Sequence, residues 1–196
     1  MNTLPPDLAA VVVGTSAGGV EALGLLLPAL RADCPVAVLV VVHLPRERPS
    51  LLIELYRTRC ALPVLEATDK QHIECGHVYF APPDYHMLVD VNESGPALAL
   101  SVDEPVHYSR PSIDVLFESA AEVWGARLMG VILTGANHDG AAGLRAVARA
   151  GGFTVVQDPL EAAASAMPAA ALRGGPAHQT LGLAEIRDLF ATLGAA

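Results

Sequence analysis

Short apolar runs alternate with longer segments of helical periodicity along most of the chain. The clearest strand-like runs are rich in Val, Ile and Leu, and they cover 8–14, 36–43 and 127–135. Helical patterns lie between and after them, at 18–31, 50–60, 111–125, 140–150 and 183–193. Such an alternation is typical of parallel strands that helices bury on both faces.

The pattern changes between 77 and 102, where short runs are separated by turn-forming residues. The sequences Pro-Pro-Asp and Asn-Glu-Ser-Gly stand between these runs, as in antiparallel hairpins. The sequence therefore predicts the α/β class: a single domain with a doubly wound, mostly parallel sheet and an antiparallel hairpin excursion.

The composition of the chain restricts its domain size and the kinds of partner that it can bind. The chain has 196 residues, 52% of them hydrophobic and 17% charged, which is enough for one well-buried core. Its formal net charge of −9 argues against a nucleic-acid partner, because such binding depends on Lys and Arg. We expect no membrane insertion, since no apolar run reaches about 18 residues.

The cysteines and histidines give no metal-binding or disulfide pattern. The three cysteines are an odd number without CxxC spacing, which favours a reducing, cytoplasmic location. The histidines lack the H-E-x-x-H spacing of zinc sites. We therefore expect no metal and no cofactor.

Three polar residues follow or close the three clearest strands. Ser16 comes after the first strand, His43 closes the second, and Asp139 follows the third. Ligands and catalytic groups of open parallel sheets gather at the carboxyl ends of the strands, so we expect all three at one edge. A hydroxyl, an imidazole that takes its proton and a carboxylate that orients the imidazole form a nucleophilic triad.

Each of these residues also has a structural interpretation. Ser16 lies in Gly14-Thr15-Ser16-Ala17-Gly18, which fits the G-x-S-x-G elbow but also a helix N-cap. A His at a strand end, such as His43, is often a hydrogen-bonded structural residue or a metal ligand, and an Asp before Gly often forms a turn. The residue pattern by itself leaves both interpretations open.

Six blocks of sequence, taken in order, resemble the catalytic domain of the bacterial chemotaxis receptor methylesterases, the CheB family. The blocks are GTSAGGVEAL, VVVHLP, CGHVYFAPPDYHM, RPSIDVLFESAA, GVILTGANHDGAAGL and VVQDPLEAAASAMPAAAL. The resemblance extends from about Val11 to Leu193, and it implies a catalytic domain over 1–196 with its core at about 8–193.

The resemblance implies an activity and a site. Its triad falls on Ser16, His43 and Asp139, and its oxyanion hole on the backbone N–H groups of Ala17 and Ala136. The implied reaction is hydrolysis of glutamate γ-methyl esters on methylated chemoreceptors by the serine, with deamidation of glutamine in some members of the family.

Two features depart from the family pattern. The segment 136–138 reads Ala-Asn-His instead of the usual Met-Gly-Asn, which bears on the pose of Asp139. The first catalytic strand begins by about residue 8, so we expect no receiver domain. Regulation would then come from a separate regulatory partner, from the expression level, or not at all.

Basic residues cluster after His43. These residues are Arg46, Arg48, Arg57 and Arg59. They could form a positive rim for a glutamate-rich receptor helix, or they could lie on an ordinary solvated helix face.

Pro111 after Arg110 predicts a helix start.

Two other functions compete with the esterase. Patatin-like acyl hydrolases share the GTSAGG elbow and an Asp-Gly motif, but they would leave His43 unexplained. A non-catalytic signalling module with this fold is the second alternative.

Overall fold

The computed structural model describes residues 4–43, 51–175 and 177–194. The strands are β1 (Ala10–Thr15), β2 (Ala37–Val42), β3 (Val64–Glu66), β4 (Val78–Phe80), β5 (His86–Asn92), β6 (Gly95–Ser101), β7 (Leu128–Ile132), β8 (Phe153–Gln157) and β9 (Gln179–Leu181). The helices are α1 (Gly19–Leu26), α2 (Leu52–Arg57), α3 (Ile113–Trp124), α4 (Ala141–Arg149), α5 (Ala166–Arg173) and α6 (Leu183–Ala191).

Seven strands form one parallel sheet in the order β3-β4-β2-β1-β7-β8-β9. The chain builds one half of the sheet outward from β1 through β2, and then returns to the other side of β1 with β7. The carboxyl ends of β1, β2 and β7 therefore meet where the strand order reverses, which is the place where open α/β sheets bind ligands.

The two faces of the sheet follow from the period of two in its strands. In β1, Val11 and Val13 pack into one core with α1, α2 and α6. Ala10 and Val12 pack into the opposite core with α3, α4 and α5. This three-layer arrangement confirms the predicted fold class.

The antiparallel part is smaller than the sequence suggested. Asn92-Glu93-Ser94-Gly95 turns the chain between β5 and β6, which form a separate two-stranded sheet. The run before Pro82 does not belong to a hairpin, because β4 pairs in parallel with β2 and β3. The hairpin packs through Met87 and Leu98 against the α3 side of the core.

The C-terminal third contains elements that the periodicity did not indicate. β8, α5 and β9 extend the sheet and cover it after α4. None of the helices in the described part of the chain combines the length and apolar character that a bilayer crossing requires.

Candidate active site

The loop after β1 presents Ser16 without using its hydroxyl in the fold. Gly18 is the N-cap of α1, with φ of 80°, a conformation that favours glycine. A Cβ on Gly18 would also lie 2.8 Å from that of Ala163. Among the described residues, the Ser16 hydroxyl has no hydrogen-bond partner. The structure therefore contradicts the N-cap interpretation of Ser16 and leaves its oxygen available for chemistry.

Thr134 ties the serine loop to the loop after β7. Its carbonyl accepts from the Ser16 N–H at 3.0 Å and from the Thr15 hydroxyl at 2.8 Å. Its own hydroxyl donates to the Ala17 carbonyl and accepts from the Ala164 N–H, both at 2.8 Å. Thr134 was not predicted as a site residue, since a Thr at a strand end carries no distinctive signal.

Asp139 is docked against the N-terminus of α3. Its Oδ1 accepts from the Ser112 hydroxyl at 2.8 Å and the Asp114 N–H at 3.0 Å. Its Oδ2 accepts from the Ile113 N–H at 2.7 Å. A helix N-terminus offers unpaired N–H groups and a positive partial charge, so the start of α3 stabilises this buried carboxylate.

The environment of Asp139 favours its ionised form. The side chain has no solvent exposure, and burial is the largest influence, acting to raise its pKa. Hydrogen bonds from His43 and from the N–H groups of Asp114 and Ile113 together outweigh burial and hold the pKa of Asp139 below its ordinary value.

The structure brings His43 and Asp139 together. His43 Nε2 lies 2.9 Å from Asp139 Oδ2, and the imidazole is 11% exposed. His43 Nδ1 lies 3.1 Å from Asn137 Nδ2. An ionised carboxylate only accepts, so Nε2 carries the proton of the neutral ring and Nδ1 carries the lone pair. Nδ1 is therefore the nitrogen that is able to act as a base.

The candidate oxyanion donors are open to an incoming group. Ala17 and Ala136 are both exposed, and neither N–H donates to an acceptor among the described residues. They belong to the loops that follow β1 and β7, next to Ser16 and Asp139 in sequence.

The described arginines of this region are either exposed to solvent or hydrogen-bonded within the fold. Arg57, in the last turn of α2, and Arg59 are exposed, whereas Arg46 and Arg48 lie outside the described residues. Arg110 binds Asp84 at 2.9 Å and the carbonyls of Val102 and Asp103, so it fixes the segment before α3.

Two further residues that contact the His43–Asp139 pair were not assigned to the site from the sequence. Ser112, the N-cap of α3, reaches Asp139 across the core, and its own N–H donates to Nδ1 of the buried His86. Asn137 contacts the imidazole. His138, the residue before Asp139, is exposed, and within the described residues it is not a partner of the Asp139 carboxylate. Within the described segments, no group of three or more His, Cys, Asp or Glu could hold a metal ion.

The family model of the CheB methylesterases matches residues 11–190. The chain belongs to the CheB methylesterase family. The crystal structure of the CheB methylesterase catalytic domain of Thermotoga maritima superposes with a TM-score of 0.89 at 29% identity, covering 94% of this chain and 98% of that one. CheB methylesterases are hydrolases, and this chain is a member of that enzyme family.

Two sequence relatives extend the comparison. A protein-glutamate methylesterase/protein-glutamine glutaminase of Bordetella parapertussis is 41% identical over 183 residues, which are 93% of this chain and 52% of that protein. A Leptospira interrogans protein, whose name gives the same two activities provisionally, is 41% identical over 94% of both chains. The chain thus spans about half of one CheB relative and nearly all of another.

Proposed function

We propose that this protein hydrolyses glutamate γ-methyl esters on the cytoplasmic helices of chemoreceptors, with Ser16 as nucleophile. The observation that carries the proposal is the 2.9 Å contact of His43 with Asp139, at the edge of the sheet where Ser16 is presented. The names of the relatives support both the ester substrate and a second activity on glutamine.

The first half of the reaction acylates the enzyme. Ser16 Oγ attacks the ester carbonyl carbon while its proton passes to His43 Nδ1. The carbonyl oxygen becomes an oxyanion, which the N–H groups of Ala17 and Ala136 stabilise. When this intermediate collapses, the bond to the methoxy oxygen breaks and the proton on Nδ1 passes to that oxygen, so methanol leaves.

The second half repeats these steps with water. Water gives a proton to Nδ1 and attacks the acyl carbon, and the Ser16 oxygen then leaves with that proton. The products are glutamate and free enzyme. Asp139 holds Nε2–H throughout and stabilises the imidazolium formed in each step. With a glutamine substrate, ammonia leaves in place of methanol, and no metal or organic cofactor takes part.

The partner assignment belongs to the same proposal. Arg57 and Arg59 provide a basic rim for an acidic receptor helix. Arg46 and Arg48, which we also predicted for this rim, lie outside the described residues. The catalytic domain covers 1–196 with its core at about 8–193, and it acts in the cytoplasm.

The two alternatives have less support. A patatin-like hydrolase does not account for the His43–Asp139 pair or for the family match. A non-catalytic module does not account for an available serine hydroxyl beside a base whose tautomer is fixed.

Methanol release from methylated chemoreceptor fragments tests the proposal. We expect release by the wild type and its loss in Ser16→Ala. Ser165→Ala is the matched control, because Ser165 also precedes a helix but makes no side-chain cap. Release that is unaffected by Ser16→Ala would refute the serine mechanism.

A further inference from the structure

We propose that Asn137 caps the catalytic base in the resting site, so that the Ser16–His43 contact forms only after the Asn137 side chain moves away. This inference rests on the proposed function, since it concerns the same base. It assigns Asn137 as a positioning residue that acts through His43.

The orientation of the Asn137 amide follows from its partners. The Asp139 N–H donates to Asn137 Oδ1 at 3.2 Å, which places the carbonyl side of the amide towards Asp139. The amino side, Nδ2, then faces His43 Nδ1 at 3.1 Å and the Ser109 hydroxyl at 3.4 Å. Because Nδ2 can only donate, it occupies the lone pair of Nδ1.

That lone pair is also the acceptor that the proposed reaction requires. The other ring nitrogen is engaged with Asp139, so Nδ1 is the remaining position for the Ser16 proton. The hydroxyl of Ser16 reaches no partner within the described ranges, His43 included. Two donors therefore compete for one acceptor, and Asn137 occupies it in this structure.

The surroundings of Asn137 permit its displacement. Asn137 is only partly buried, and its neighbours Ala136 and His138 are exposed. Its second donor contact, to Ser109, is long at 3.4 Å. The site is therefore held closed by one good neutral hydrogen bond, which an acyl group arriving beside Ser16 can break.

Two substitutions should move the rate in opposite directions. Asn137→Ala removes the competing donor, so kcat/KM for a small activated ester such as p-nitrophenyl acetate should rise about twofold to tenfold, the net worth of one neutral hydrogen bond. Asn137→Asp keeps the shape and the acceptor for the Asp139 N–H, but it places a carboxylate against Nδ1. A proton would then be held on Nδ1, and the rate should fall at least about tenfold.

Ser109→Ala is the matched control. It removes the other partner of the same amide group without touching His43, and we expect kcat/KM to stay within about twofold of the wild type. A purely structural role of Asn137 would instead make both Asn137 variants slower.

¹⁵N NMR of the His43 imidazole measures the protonation and hydrogen bonding of Nδ1 without requiring ester hydrolysis. At mildly alkaline pH we expect an unprotonated, hydrogen-bonded Nδ1 in the wild type, loss of that hydrogen bond in Asn137→Ala, and a proton on Nδ1 in Asn137→Asp. A wild-type Nδ1 that carries the proton, or an Asn137→Ala variant slower than the wild type, would overturn the inference. Ester hydrolysis that is unchanged in Ser16→Ala would instead overturn the proposed function, while the NMR signals would still report on the Asn137 cap.

Discussion

Asp139→Asn is the substitution whose consequences the structure defines most closely. The side chain accepts four hydrogen bonds, two at each oxygen: Ser112 and Asp114 at Oδ1, and His43 and Ile113 at Oδ2. An asparagine must place its amino group on one side. On either side that group meets a backbone N–H, which cannot accept a hydrogen bond.

The expected cost comes from the unpaired donor and from the lost charge. A buried donor without a partner costs about 1–3 kcal/mol, and a hydrogen bond to a charged group contributes about 1.5–3 kcal/mol. Because the pKa of Asp139 is lowered in the folded state, the folded protein favours the ionised carboxylate more than the unfolded chain does. We therefore expect the free energy of unfolding at neutral pH to fall by about 2–4 kcal/mol, and kcat by about 10⁴, as when a triad carboxylate becomes an amide.

The pH dependence of this loss has a defined sign. Because the pKa of Asp139 in the folded state lies below its ordinary value of 3.8, its charge contributes stability above that value and loses it as the pH falls through the folded pKa. The difference between wild type and Asp139→Asn should therefore shrink towards acid pH.

Urea unfolding at about pH 7 and about pH 3 measures this difference. Asp188→Asn is the control, because Asp188 is exposed and pairs with its exposed neighbour Arg187, and it should cost less than about 1 kcal/mol. An Asp139→Asn variant that loses less than about 1 kcal/mol at neutral pH, or whose deficit grows in acid, would refute the reasoning.

Three further predictions concern neighbouring parts of the site. Thr134→Val should lower the free energy of unfolding by about 1–3 kcal/mol and reduce methanol release. Thr134→Ser keeps the hydroxyl, so it should retain most of the stability and most of the activity. Equal effects of the two substitutions would contradict the bracing role of the hydroxyl. Burial raises the pKa of Asp114 above 3.8, so the stability tied to its protonated form is lost as the pH rises through the folded pKa. In thermal unfolding, Asp114→Asn should therefore gain stability relative to wild type as the pH rises through this range. A stability deficit of the variant that grows with pH would contradict this prediction. Reversing Arg57 and Arg59 to Glu should slow methanol release from receptor fragments several-fold more than small-ester hydrolysis, most clearly at low salt, and an equal loss on both substrates would argue against a basic rim.

The central strands were predictable because their residues match a local rule. β1 and β2 are valine-rich runs whose residues are all buried, and this is the composition of parallel strands between helix layers. α5 was not predicted because its alanines suit either face of a helix and blur the apolar period. The pairing of β4 with β2 and β3 depends on segments far from its own three residues, which alone do not distinguish parallel from antiparallel pairing.

In the candidate site, too, the features that follow a local sequence rule were predictable, whereas the contacts between distant segments were not. The rule that functional groups gather at strand ends placed Ser16, His43 and Asp139 at one edge before any contact was known. The anchoring of Asp139 by Ser112 could not be predicted, because it requires α3 to dock 27 residues away in sequence. The contact of Asn137 with His43 spans 94 residues and likewise follows only from the assembled fold.

Mapping the serine that reacts with a fluorophosphonate tests the central claim most directly. The probe forms a covalent bond only with a serine that an adjacent base activates, and peptide mass spectrometry locates the adduct. The account predicts one adduct on Ser16 in the wild type and its absence in His43→Gln. An adduct on another serine, or equal labelling of Ser16 in His43→Gln, would contradict the claim that Ser16 is the nucleophile activated by His43.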